Sequence, residues 1–142
     1  MIEAFWDSSV LTALCVQQPL SRQAERWAAQ YGMAVWWATR VEVSSAIARL
    51  RRSGALTVAA RLGAARNLRL LGESWHEISA SDVVRDEAQR LLPLYPLRAA
   101  DSLQLAAALV WCRNRPVGRN FICADERLSE AAEQAGFTAL RP

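Results

Sequence analysis

Apolar positions along this chain fall into two alternating patterns. Ile2–Trp6, Met33–Ala38 and Asn120–Ala124 are short and almost wholly apolar, as strands buried on both faces are, and Trp75–Ile78 is a weaker strand of the same length. Between them the spacing turns helical. Ala24, Trp27 and Ala28 share a face, Val43, Ala46, Ile47 and Leu50 recur at i, i+3, i+4 and i+7, and Val84, Ala88, Leu91 and Leu92 point inward together. From Leu103 to Cys112 the chain is apolar almost all round, with Gln104 the only polar break. A helix of that kind belongs at the centre of a fold.

The polar residues punctuate this pattern. Asp7-Ser8-Ser9 reads as a loop and N-cap for a helix through Leu14; Pro19 interrupts, a helix restarts at Ser21, and Gly32 ends it. Thr39 with Glu42 three residues on matches a capping box, and Arg49, Arg51 and Arg52 precede the Gly54 stop. A further helix is expected over 55–71, Ser79 or Ser81 caps the next, and Pro93 and Pro96 imply an extended linker. Gly136 ends a last helix before a short strand at Phe137–Leu140. Strands alternating with helices predict an α/β fold, a three-layer α/β/α sandwich around a mostly parallel sheet of four or five strands, with residues 1–142 as one domain.

Composition narrows the chemistry more than the fold. Apolar residues make up 52% and charged ones 22% of 142, a globular balance, and no apolar run approaches a membrane span. The start of the chain lacks the pattern of a signal peptide, and Cys15, Cys112 and Cys123 have no metal-site spacing, so a cytoplasmic protein with reduced, buried thiols is expected. All 17 basic residues are arginine. The absence of lysine excludes a Walker P-loop and lysine-dependent mechanisms. The one histidine, His76, sits on a short strand among Trp75 and Glu77 and reads as structural, and no serine lies in a G-x-S-x-G elbow.

What remains is acidic. Asp7 ends the first strand and Asp125 the fourth, which puts both at the carboxyl edge of a parallel sheet. Glu42 lies in the first turn of the helix leaving the second strand, and Asp101 in the first turn of the apolar helix. Singly, Glu42 and Asp125 are ordinary capping residues and Asp7 an ordinary turn residue. Asp101, a carboxylate where the chain dives inward, needs compensation. Four carboxylates converging on one crevice repel one another unless a cation intervenes, and an oxygen-only set favours Mg²⁺ or Mn²⁺. Metal-assisted phosphodiester hydrolysis is the matching chemistry.

Asp7-Ser8-Ser9-Val10-Leu11, Glu42 within Arg40-Val41-Glu42-Val43, Leu97-Arg98-Ala99-Ala100-Asp101-Ser102-Leu103 and Phe121-Ile122-Cys123-Ala124-Asp125-Glu126-Arg127-Leu128 together resemble the four motifs of PIN domains, nearest the prokaryotic VapC-type toxins. The resemblance implies an endoribonuclease dependent on Mg²⁺ or Mn²⁺, often a homodimer, held inactive by a cognate VapB-like antitoxin. It makes Asp7, Glu42, Asp101 and Asp125 the catalytic metal ligands and Ser9 a supporting residue. Relatives often carry histidine where Gln104 stands. A non-catalytic module of the same fold, binding RNA or a partner, is the alternative; a dehalogenase-type phosphatase is disfavoured by Asp7-Ser8-Ser9 in place of Asp-x-Asp and by the missing lysine. Arg98, just ahead of the Asp101 helix, is the basic residue expected nearest the scissile phosphate. Glu126 is a further acid beside Asp125, and Arg49, Arg51, Arg52, Arg61, Arg66 and Arg69 form either a solvated face or a phosphate-contacting one. Of Trp36 and Trp37, successive strand residues, at most one can lie on any single platform.

Overall fold

The computed structural model describes residues 1–142. Its elements in chain order are β1 (Glu3–Trp6), α1 (Ser8–Cys15), α2 (Ser21–Gln30), β2 (Gly32–Trp36), α3 (Thr39–Arg52), α4 (Val58–Ser74), β3 (His76–Ile78), α5 (Asp82–Leu91), α6 (Ala99–Trp111), β4 (Asn120–Ile122), α7 (Glu126–Ala135) and β5 (Thr138–Leu140). The five strands form one sheet in the order β3-β2-β1-β4-β5, and every pairing is parallel. The expected sandwich is therefore present, with the sheet all parallel.

Alternation along the strands explains the layers. Phe5, Ala34, Trp36 and Phe121 face one side and pack with α5, α6 and α7; Ala4, Trp6, Val35 and Ile122 face the other and pack with α1 to α4. The central strands β2, β1 and β4 are covered on both faces, which is why their blocks read as continuous apolar runs, while the edge strand β3 leaves His76 and Glu77 exposed. The α6 helix lies where its composition requires: Leu105 to Leu109 are all buried against the sheet and α5. Trp36 is buried and Trp37 is 54% exposed, as opposite strand faces demand.

Several boundaries differ from expectation. Gly32 opens β2 rather than closing α2, because Tyr31 is already extended and caps the helix through its N–H to Trp27 O (2.8 Å). The fourth helix starts at Val58, since Thr57, overlooked as a cap, accepts from Ala60 N–H (3.1 Å). Thr39 is not an N-cap. It lies inside α3, whose cap, Ala38, offers no side-chain acceptor, so the capping box with Glu42 is not formed. Leu92 is 41% exposed instead of inward, because α5 ends one residue before it. The linker begins as a turn, not an extended segment: Leu94 and Tyr95 N–H both donate to Leu91 O (3.0 and 3.1 Å). Gly136 adopts φ +115°, a left-handed helix stop in which a side chain would also meet Pro116.

The sheet order fixes where a ligand belongs. Chain connections run outward from β1 to β2 and β3 on one side and return to β4 and β5 on the other. The crevice outside the carboxyl ends of β1 and β4 is thus the topological switch point, the usual ligand position in open parallel sheets.

Candidate active site

Asp7 and Asp125 emerge at this switch point, one after β1 and the other shortly after β4. Asp7 N–H donates to Ile122 O (2.9 Å), continuing the β1–β4 pairing past the strand end. The same residue caps α1: its carboxylate Oδ2 accepts from Ser9 N–H (3.2 Å) and Ser9 Oγ–H (2.6 Å). Ser9 Oγ in turn accepts from Ala124 N–H (3.0 Å), which ties α1 to the loop before α7. Asp125 caps α7 by accepting from Leu128 N–H (2.8 Å). Both carboxylates therefore sit at helix N-termini, where the helix dipole favours negative charge.

Glu42 stands in the first turn of α3 and is held from two sides. Ser8 Oγ donates to its Oε2 (3.2 Å), and Gln104 Nε2 donates to its Oε1 (3.0 Å). The amide of Gln104, 1% exposed within α6, also donates to the buried Thr39 Oγ1 (3.1 Å), while its own Oε1 has no donor. Asp101, half-buried in the first turn of α6, completes the group. Asp7, Glu42, Asp101 and Asp125 all line one cavity of about 510 Å³ together with Ser8, Ser9, Ser45 and Arg49. A second cavity of about 730 Å³ shares Asp101 and Asp125 and adds Arg98, Glu126 and Arg127, so the two join into one groove.

None of the four carboxylates has an ion-pair partner. Burial pushes the Asp7 carboxyl above its ordinary range, against the Ser9 and Cys123 hydrogen bonds, and the charge of Asp101 adds to the rise. Glu42 is raised by burial and then by Asp7, with the Gln104 and Ser8 bonds opposing. Asp101 is raised by burial and by Asp125, with Arg98 and Arg127 pulling the other way. The site gathers negative charge that neutral donors and the more distant Arg98 and Arg127 offset in part, without an ion pair. A set of carboxylate oxygens without cationic partners is the donor chemistry that hard divalent cations such as Mg²⁺ or Mn²⁺ accept. As placed, no three of the chain's carboxylates, cysteines and histidine come close enough to cage an ion by themselves.

Asp7, Glu42, Asp101 and Asp125 thus lie at one cavity with Ser9, and Arg98 and Glu126 lie on the adjoining one. Three participants were not anticipated. Ser8 holds Glu42, Thr39 receives Gln104 rather than capping a helix, and Cys123, read only as a buried hydrophobe, points Sγ–H at Asp7 Oδ2 (3.6 Å). The one signal for the Gln104 contact was its position three residues after Asp101, on a shared helix face.

No family model matches the sequence, and no curated protein matches it either. Solved structures do match in fold. PAE2754 from Pyrobaculum aerophilum is 19% identical with a TM-score of 0.68, over 97% of this chain and 89% of that one. A toxin–antitoxin complex from Klebsiella pneumoniae is 17% identical with a TM-score of 0.63, over 89% and 91%. FitAcB from Neisseria gonorrhoeae is 16% identical with a TM-score of 0.64, over 97% of both chains. The chain shares their fold. That fold is the PIN-like sandwich expected from the motifs.

The raised Asp7 carboxyl predicts a stability trade. An acid whose folded-state pKa lies above its ordinary value of 3.8 costs nothing below that value, and stability is lost as pH climbs through the raised one. In EDTA, Asp7→Asn is expected to melt with wild type at acidic pH and a few degrees above it at neutral pH. Thermal unfolding across pH measures the difference; a variant less stable than wild type at neutral pH would contradict it.

Proposed function

We propose that this chain is a Mg²⁺- or Mn²⁺-dependent endoribonuclease of the PIN family, the toxin of a toxin–antitoxin pair. The observation that carries the reading is the cavity itself: four carboxylates from four separate elements, at the switch point of a parallel sheet, without a cationic side chain paired to any of them. Asp7, Glu42, Asp101 and Asp125 are the residues that would hold the metal. Bound there, a divalent ion lowers the pKa of water and stabilises charge on phosphate.

The chain's own residues supply positioning. Ser9 orients Asp7, while Ser8 and Gln104 fix both oxygens of Glu42. Arg98 and Arg127 border Asp101 and Asp125 on the open side of the groove, where a phosphodiester approaching the acids needs positive charge. The cavity's Ser8 and Ser9 hydroxyls are committed to holding Glu42 and Asp7, and no histidine or lysine borders them as an activating base, which leaves water as the attacking group.

The toxin role rests on likeness of fold to the Klebsiella toxin–antitoxin complex and on the VapC-type motifs. By that reading the partners are RNA, a VapB-like antitoxin and a second copy of the chain. No helix is long and apolar enough to cross a membrane.

Two outcomes test this. Purified protein should cleave single-stranded RNA with Mg²⁺ or Mn²⁺ and stop in EDTA, and Asp101→Asn should lower the rate by at least ~10²-fold, the usual cost of losing a principal charge-stabilising group. Cleavage that survives EDTA or the substitution contradicts the enzymatic reading and leaves a binding module. Arg98→Ala should reduce kcat/KM by about tenfold, one charge-assisted contact's worth, with an unchanged melting temperature; normal cleavage by the folded variant removes Arg98 from the substrate path.

A further inference from the structure

Behind the acidic groove, on the other flank of α3, a separate cavity of about 350 Å³ opens between α3 and α4. Four arginines line it: Arg40 and Arg51 from α3, Arg61 and Arg69 from α4. No carboxylate borders it, and none of the four is in an ion pair. Two of them lack a counter-charge in distinctive ways. Arg61 has its Nε buried and unpartnered. The Arg40 guanidinium lies over the Trp75 ring, 5.5 Å from its centroid, in a notch that only a glycine at position 72 leaves open. A buried donor without an acceptor is rare in folded proteins and leaves Arg61 open to an anionic or water partner.

The ligand is anionic, and its length follows from the surroundings. Arginines continue beyond the cavity along the same two helices, at Arg49, Arg52 and Arg66. Arg49 lines the acid-bearing cavity, held by its bond to Ser45 (3.1 Å), so α3 presents basic groups to both cavities. A small anion would use neither the spread of charge nor the continuity. An acidic peptide could rest on the apolar floor of Ile47, Ala48, Ala65 and Leu68, but nothing would carry it on toward the acids. A polyanionic strand satisfies both facts. We propose that the α3–α4 arginine cavity is an exosite for the phosphate backbone of RNA, engaging the strand away from the point of cleavage. Arginine's rigid fork, rather than the point charge of lysine, suits phosphate recognition. The site rests on the ribonuclease reading for its connection to the acidic groove, and on its own geometry for its charge.

The test is equilibrium binding of labelled polyuridine in EDTA, followed by fluorescence anisotropy over a range of salt. Arg61→Gln/Arg69→Gln should weaken binding about tenfold and lower the log Kd–log salt slope by about 1.4, as expected for two lost contacts to a single strand. Arg113→Gln/Arg115→Gln removes the same charge at the far end of α6 and should leave affinity within about twofold. Thermal unfolding confirms that both variants fold. Equal weakening by the two pairs would reduce the effect to net charge and overturn the exosite. Unchanged polyuridine binding by Arg61→Gln/Arg69→Gln would overturn it as well, and loss of polyglutamate binding in that case would reassign the cavity to an acidic protein segment. Failure of the wild type to bind polyuridine at all would count against RNA as the substrate, and so against the proposed function rather than the exosite alone.

Discussion

The arrangement of this protein turns on an electrostatic debt: carboxylates collected in a partly buried space, hydrogen-bonded to neutral donors and joined by no ion pair. A folded chain tolerates such a cluster only when surrounding structure fixes it. Here the β1–β4 pairing, the capping of α1 and α7, and the buried body of α6 provide that structure. Asp7 is the extreme case, 5% exposed and yet supplied with three donors, Ser9 N–H, Ser9 Oγ–H and Cys123 Sγ–H. Stability is given up at the site so that charge can be concentrated there, a pattern expected where function rather than folding selects the residues.

The sheet and helices are arranged around that demand. Parallel strands all deliver their carboxyl ends to one edge, and reversal of the strand order at β1 and β4 opens a crevice there. The apolar α6 fills one face and brings both Asp101 and Gln104 to the same end, so that one helix supplies an acid and also the amide that restrains Glu42. On the other face α3 carries Glu42 in its first turn and arginines further along, dividing an acidic cavity from a basic one. For a ligand that is itself a string of charges, such as the proposed RNA, that division would order binding and chemistry along a single helix.

Much of this was legible in the sequence because buried parallel strands and all-apolar helices leave strong patterns. The four acids could be assigned to one edge from their places after strands and in first helical turns. What escaped had two physical causes. Thr39 and Glu42 have the spacing of a capping box, and that spacing cannot distinguish a hydroxyl that caps its own helix from one that meets Gln104 from across the core. The turn after Leu91 depends on local backbone bonds rather than on periodicity. The arginine cavity belongs with the Thr39 contact: its residues were visible as two basic helices, but the Gly72 notch and the Trp75 face that position Arg40 appear only when α3 and α4 pack.

The most direct measurement of the central claim is anomalous diffraction from crystals soaked in Mn²⁺. The account predicts a manganese peak inside the cavity lined by Asp7, Glu42, Asp101 and Asp125, with carboxylate oxygens at about 2.0–2.3 Å, the range for small hard divalent cations. A fully soaked crystal with no peak there, or with its only peak elsewhere on the surface, would contradict it.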